Sequence, residues 1–246
     1  MRRLPALSWI VLLGLVLAGA AAIAFAARDR GPNIGPRPEA QRPTLLLLTS
    51  LPLIFSEDFA LQAGGSPALR ALETRYRVAP IATTDAGSLK QGGLLLMAHP
   101  LAQPAENLVE LDRWVRAGGR VLLLADPRLE WPSERPLGDK LRPPPGFADT
   151  GLLAHWGLRL DAPEESGPKL VKIDGRDVLT VSPGVLTGSC EVRSDGLAAR
   201  CRIGRGEAAV IADADFLNAN ALGDAGRGNL DALLAELASL ERPPSH

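Results

Sequence analysis

Apolar residues in this chain gather into short unbroken runs rather than alternating with polar ones. Leu94–Met97 lies between Gly92-Gly93 and His99-Pro100, and Val121–Ala125 follows Gly118-Gly119. Runs of this length without alternation predict strands buried on both faces, as in a parallel sheet. Between them, Leu108, Leu111 and Val115 recur at helical spacing, with Pro104 and Glu106 in the predicted first turn and Gly118-Gly119 as the stop. Strand, helix and strand within Gly93–Asp126 is a βαβ unit, which places the two runs side by side and parallel.

The remaining elements extend that unit. Thr44–Thr49 reads as the first strand, and Ser66-Pro67 opens a helix reaching about Arg75, with Leu69 and Leu72 inward. Tyr76–Ala82 reads as a second strand, held to a sheet edge by Pro80. Five prolines between Pro132 and Pro145 predict a long surface loop. Leu152–Trp156 follows as a short helix ended by Gly157, and Leu158–Leu160 as a strand. Asp174-Gly175 and Asp195-Gly196 each centre a hairpin. Glu207–Ala212 returns as a last parallel strand, and Asn229 is expected to cap the final helix, whose apolar face is Leu230, Leu233, Leu234 and Leu237. The expected fold class is α/β: an open, mostly parallel sheet flanked by helices, with a small β-hairpin insertion.

Upstream the pattern changes. Arg2-Arg3 precedes Leu4–Ala27, which carries no charge and is long enough to span a bilayer as a helix. Charge at the start predicts an N-terminus inside and the remainder exported to the periplasm or outside. A cleaved signal peptide is the rival reading, since Ala24-Phe25-Ala26 resembles a cleavage site. The length of the run favours a single-pass anchor in the inner membrane. The domain expectation is therefore an anchor over 1–30, a Pro/Gly-rich tether over 31–43, an α/β domain over 44–240 with an insertion at about 128–206, and a tail over 241–246. Hydrophobic residues at 46% supply a sizeable core, while aromatics at 4% leave it to Leu, Val and Ala. A net charge of -1 gives no reason to expect a nucleic-acid partner.

Candidate chemistry sits where the parallel strands end, because open parallel sheets bind ligands beyond those ends, near the reversal of strand order. The residues there are Thr49 and Ser50, His99, Asp126, then Asp213 and Asp215. With strand order 2-1-3-4-5, Ser50 and His99 face each other across the reversal. That invites a hydrolase using Ser50, His99 and Asp126, although no G-x-S-x-G elbow occurs. The simpler reading is that these short polar residues bond loop backbones. A cation-dependent ligand site formed by Asp126, Asp213 and Asp215 is the third reading. No phosphate loop or zinc spacing is present, so no cofactor or metal is expected. Folding about Asp195-Gly196 sets Cys190 opposite Cys201, and in an exported domain that predicts a disulfide.

Three segments carry a family resemblance: ENLVELDRWVRAGG with RVLLLADP, LLAHWGLRL at Leu152–Leu160, and VIADADFLNAN at Val210–Asn220 with GNLDALLAEL after it. Together they resemble the class I glutamine amidotransferase-like fold. More narrowly, they resemble the membrane-associated auxiliary domain of uncharacterised ABC-type transport systems, of the type linked with gliding-motility transporters. The amidotransferase fold would carry a catalytic Cys after a central strand. The corresponding turns here read Met97-Ala98-His99-Pro100 and Ala125-Asp126-Pro127, and both cysteines lie in the late hairpin. The resemblance thus implies a non-enzymatic, membrane-anchored extracytoplasmic domain serving a transporter or envelope assembly, with an integral-membrane transporter as partner.

Overall fold

The computed structural model describes residues 33–55 and 65–241. The expected anchor at Leu4–Ala27 lies outside them, as do residues 242–246. Among the described residues no helix is long and apolar enough to cross a membrane.

A seven-stranded sheet forms the centre, in the order β2-β1-β3-β4-β11-β10-β9. Its parallel part is β1 (Thr44–Thr49), β2 (Arg77–Pro80), β3 (Leu94–Ala98), β4 (Arg120–Leu124) and β11 (Gly206–Ile211). β3 and β4 pair in parallel from Leu94 opposite Arg120 to Ala98 opposite Leu124, as the βαβ reading requires. β10 (Ala198–Ile203) and β9 (Glu191–Arg193) then add antiparallel strands, so part of the span expected as an insertion belongs to the main sheet.

Unbroken apolar runs follow from a layer on each face. Leu45, Leu47, Leu96, Leu122, Leu124 and Ile211 point into one cluster with α1 (Pro67–Glu73) and the last helix, α6 (Asp224–Glu241). Leu46, Leu48, Leu95, Met97, Val121 and Leu123 point into the other, against α2 (Ala86–Leu89), α3 (Ala105–Arg116) and α4 (Leu152–His155). The chain signals act locally as their chemistry dictates. Ser66 caps α1 by accepting from the Leu69 amide at 3.1 Å, and Pro80 sits in the edge strand β2. Pro104 stands at the N-cap of α3, one position before the helix proper. α2 was not anticipated; Asp85 caps it, accepting from Gly87 and Ser88.

Two smaller sheets lie in the span between β4 and β9. β5 (Leu158–Asp161) pairs antiparallel with β8 (Val185–Gly188). β6 (Pro168–Ile173) pairs with β7 (Arg176–Val181) about Asp174-Gly175, whose φ values of 47° and 79° suit the two-residue turn expected there.

The final helix departs from its expected start. Asn229 is not its cap, because α6 begins at Asp224 and carries Asn229 fully buried inside it. Gly226 lies within the helix because only a residue without a side chain fits there. A Cβ there would come within 2.6 Å of Ala219 Cα, on the short helix α5 (Ala219–Leu222). The Asn229 amide accepts from the Leu179 amide at 2.9 Å and donates to the carbonyls of Leu179 at 2.8 Å and Phe216 at 2.9 Å. It therefore acts as a strand partner along the outer side of β7. Further along α6, buried Glu236 accepts from Arg193 at 2.8 Å and Arg200 at 2.9 Å, tying the helix to β9 and β10.

Residues 34–43, expected as part of a tether, are bonded to the domain. The Arg37 amide donates to Thr74 O at 2.9 Å and its guanidinium to both Glu241 oxygens, at 3.2 and 2.7 Å. Tyr76 donates to the same carboxylate at 2.5 Å. Cys190 and Cys201 are joined by a disulfide with a Cα separation of 4.9 Å. Between the paired residues Arg193 and Ala198 the Leu197 amide donates to Ser194 O at 3.0 Å, and Ser194 and Asp195 take positive φ.

Two outcomes follow. Asn229→Ala leaves a buried amide and two carbonyls without partners. It should lower unfolding free energy by about 3 kcal/mol, seen as a shifted urea midpoint at unchanged slope. Replacing both cysteines by Ser releases a short loop and should cost about 3 kcal/mol by chain entropy, read in the same titration.

Candidate functional site

Three loops meet at the carboxyl edge of the parallel strands, and the order β2-β1-β3 places the reversal between β1 and β3, where Ser50 and His99 were expected. Thr49 Oγ1 donates to Ala98 O at 2.9 Å and accepts from the Leu51 amide at 2.9 Å. Ser50 Oγ donates to His99 O at 2.5 Å. Both hydroxyls thus sew the loop after β1 to the end of β3. Ser50 does reach His99, but through the backbone carbonyl and not the ring.

His99 is fully buried, with φ 46°, and is followed by Pro100. Its amide donates to Leu124 O at 3.0 Å, in effect prolonging the β3–β4 ladder by one rung. Nε2 lies 2.9 Å from Pro144 O, and a carbonyl only accepts, so Nε2 carries the hydrogen. Nδ1 is buried without a partner. Burial holds the imidazole's pKa below its ordinary value, which keeps the ring neutral.

Asp126, Asp213 and Asp215 converge at the ends of β4 and β11. Asp126 accepts from the amides of Arg128 and Ala214, both at 2.8 Å. Asp213 accepts from Val181 and Phe216, both at 2.8 Å. Asp215 accepts from Glu130 at 2.7 Å. Each carboxyl closes a loop whose amides have left the sheet, and together they hold the turn after β4, the end of β7 and the turn after β11. Their pKa values are raised chiefly by burial: Asp126 to about 6 and Asp215 to about 7, with Asp213 well above its ordinary value and pushed further by the charge of Asp126.

This arrangement bears on the sequence-based readings of the edge. A nucleophilic triad needs serine bonded to imidazole and imidazole to carboxylate. Here the hydroxyl, ring and carboxylate each bond a different backbone group. For the cation reading, the carboxylate oxygens accept from amides, and among the described residues no group of three or more acidic, His or Cys side chains is placed to hold a metal ion.

The long loop contributes a feature absent from the sequence reading. Residues 131–145 contain no helix or strand, as expected, but they fold back on themselves into a bend. The amides of Asp139 and Arg142 bond Pro136 O and Asp139 O, and the amide of Leu141 bonds Asp139 Oδ1 at 2.8 Å. Against Leu101 this bend encloses an open groove of about 500 Å³, floored by Pro143–Pro145 and walled by Leu137, Lys140 and Arg142.

No known protein family matches this chain, and no curated protein matches it. Among solved structures, the N-terminal domain of mmIFT52 is similar over 82% of this chain and 99% of its own, at 13% identity and a TM-score of 0.54. The exo-β-1,4-mannosidase Op5Man5 from Opitutaceae bacterium strain TAV5 is similar over 83% of this chain, at 12% identity and a TM-score of 0.49; the chain spans 37% of its length. A cytoplasmic protein, STM3548 from Salmonella typhimurium, is similar over 80% of this chain and 98% of its own, at 10% identity and a TM-score of 0.47. At such identities the mmIFT52 likeness speaks for the fold alone, and the other two carry no argument. The class defined is a mixed α/β domain with a mostly parallel sheet whose strand ends are closed by buried carboxyls.

The carboxyls set the pH response. Each folded pKa lies above the unfolded value, so the folded state keeps protons that the unfolded state has released, and stability falls as pH rises through that interval. His99 acts oppositely, but only below its unfolded value of 6.5. From about pH 6.5 to the Asp215 value of about 7 the carboxyls act alone. The thermal midpoint should fall there, with a slope of up to about 1.4 kcal/mol per pH unit for each proton released. A flat or rising midpoint contradicts the raised values.

Proposed function

We propose that this chain is a non-enzymatic, membrane-anchored extracytoplasmic domain, an accessory or scaffold component of an ABC-type transport or envelope system. In this reading its sheet is of the flavodoxin and amidotransferase-like kind without the catalytic Cys. Leu4–Ala27 crosses the inner membrane once, with the N-terminus inside and the domain in the periplasm. An integral-membrane transporter is its partner, and neither nucleic acid nor a cofactor is required.

One observation carries the non-enzymatic part. At the edge where an α/β enzyme exposes its reactive groups, Ser50, His99, Asp126, Asp213 and Asp215 are all engaged with main-chain groups of the domain's own loops. Side chains so held give a rigid surface rather than a reaction centre. The Cys190–Cys201 disulfide suits an oxidising compartment. The family resemblance supplies the transport link.

Crosslinking in the native membrane, followed by identification of what co-purifies, tests the reading. An integral-membrane transport subunit in the adduct, together with protease access to the domain from the periplasmic face only, is the expected outcome. A domain digested from the cytoplasmic face overturns it. So does a function in vivo that disappears when Ser50, His99 and Asp126 are replaced together while the thermal midpoint of the fold is kept.

A further inference from the structure

The β6–β7 hairpin leaves one of its borders open. In an antiparallel pair, opposed residues alternate between exchanging their main-chain bonds and turning them away from each other. Leu179 turns its amide and carbonyl outward, where Asn229 takes them at 2.9 and 2.8 Å, and the outward amide of Val181 goes to Asp213. Their partners in the ladder are Leu170 and Pro168, which therefore turn outward on the opposite side, as does Lys172 two positions on. Among the described residues nothing bonds the main chain of Leu170 or Lys172 there. β6 thus presents the amides and carbonyls of Leu170 and Lys172, and the carbonyl of Pro168, in a free row. The Leu170 side chain beside that row is 66% exposed. Such a row is a template for another strand.

Charge along the hairpin selects the strand that fits. Glu164 and Glu165 precede β6 and Arg176 follows its turn, and none of the three has an ion pair among the described residues. Lys172 is committed to Asp177. A segment acidic before its strand and basic after it is complementary to its own reversed copy. The outward groups fix the register further. With Leu170 opposite Leu170 of a second copy, the two residues exchange both their bonds, and each Lys172 amide reaches the other copy's Pro168 carbonyl. Counting outward from there sets Arg176 opposite Glu164 and brings no like charges together. A cleft of about 230 Å³ beside Glu164 and Glu165 gives the arginine a place to enter. Sliding the copy by two residues takes Leu170 off Leu170 and Arg176 off Glu164.

We propose that β6 is a dimerisation edge, along which two copies of this chain pair antiparallel about Leu170 to form one four-stranded sheet. Leu179 lies across the ladder from Leu170, so the joined sheet carries a row of four leucines on one face, two from each copy. The pairing also stops at two chains. On the far side of β7 the strand positions are already taken by Asn229 and Asp213, which leaves no second border for a third copy.

Sedimentation of the full chain in detergent micelles tests this, together with mild oxidation of a Leu170→Cys variant, whose two natural cysteines are already joined. A concentration-dependent dimer is expected, with Leu170→Cys crosslinking to itself while Val192→Cys, at the exposed border strand β9, does not. Leu170→Pro removes only an outward amide and keeps every β6–β7 bond, so it should raise the dimer Kd about tenfold or more at an unchanged thermal midpoint. Arg176→Glu should weaken the dimer as well, and Glu164→Arg added to it should restore the affinity. A chain monomeric at every soluble concentration, a dimer unmoved by Leu170→Pro, or a charge exchange that restores nothing overturns the proposal. Should Leu170→Pro lower the midpoint, the crosslink decides alone, and its absence overturns the proposal. No transporter takes part in these measurements, so their failure leaves the functional reading standing.

Discussion

A parallel sheet covered on both faces has to end somewhere, and where each strand ends its amides lose their ladder partners in a place water hardly reaches. The cost of leaving such groups bare is what organises the carboxyl edge of this domain. Buried carboxyls at Asp126, Asp213 and Asp215 take up amides from three separate stretches of chain. Three acids this close do not ionise independently, and the raised pKa values are the electrostatic expression of that closeness. Loop closure and charge strain are therefore one arrangement seen from two sides.

The same requirement recurs on the helix that covers the sheet. α6 supplies Asn229 to the outer side of β7 and Glu236 to Arg193 and Arg200, so one helix substitutes for a strand at one point and pairs a buried carboxylate with two half-buried guanidinium groups at another. The β6–β7 hairpin and the β9–β10 extension are both tied to this helix. Breaking either contact would leave an uncompensated polar group.

Much of the architecture was legible because it depends on local chemistry. Unbroken runs such as Leu94–Met97 announce burial on two faces, Ser66-Pro67 announces a helix start, and Asp174-Gly175 announces a turn. The disulfide was legible from symmetry about Asp195-Gly196. What stayed hidden depends on partners distant in sequence. Asn229 reads as a cap because asparagine usually is one, and only the arrival of β7 fifty positions earlier makes it a core residue. The strand-end residues could be located in one-dimensional sequence, but not which atom each would bond. Ser50 meets His99 as foreseen and bonds the wrong part of it for chemistry. The bend at residues 136–142 was invisible because its hydrogen bonds obey no period.

The margins of the sheet carry a consequence of their own. One border strand, β2, is four residues long and ends at Pro80, and the other, β9, is three residues long with its root pinned by Cys190–Cys201. Neither border presents a long free row of donors and acceptors to a neighbouring molecule. Leucine-rich strands with long free borders are prone to stack into aggregates, and two short, blunted borders oppose that stacking.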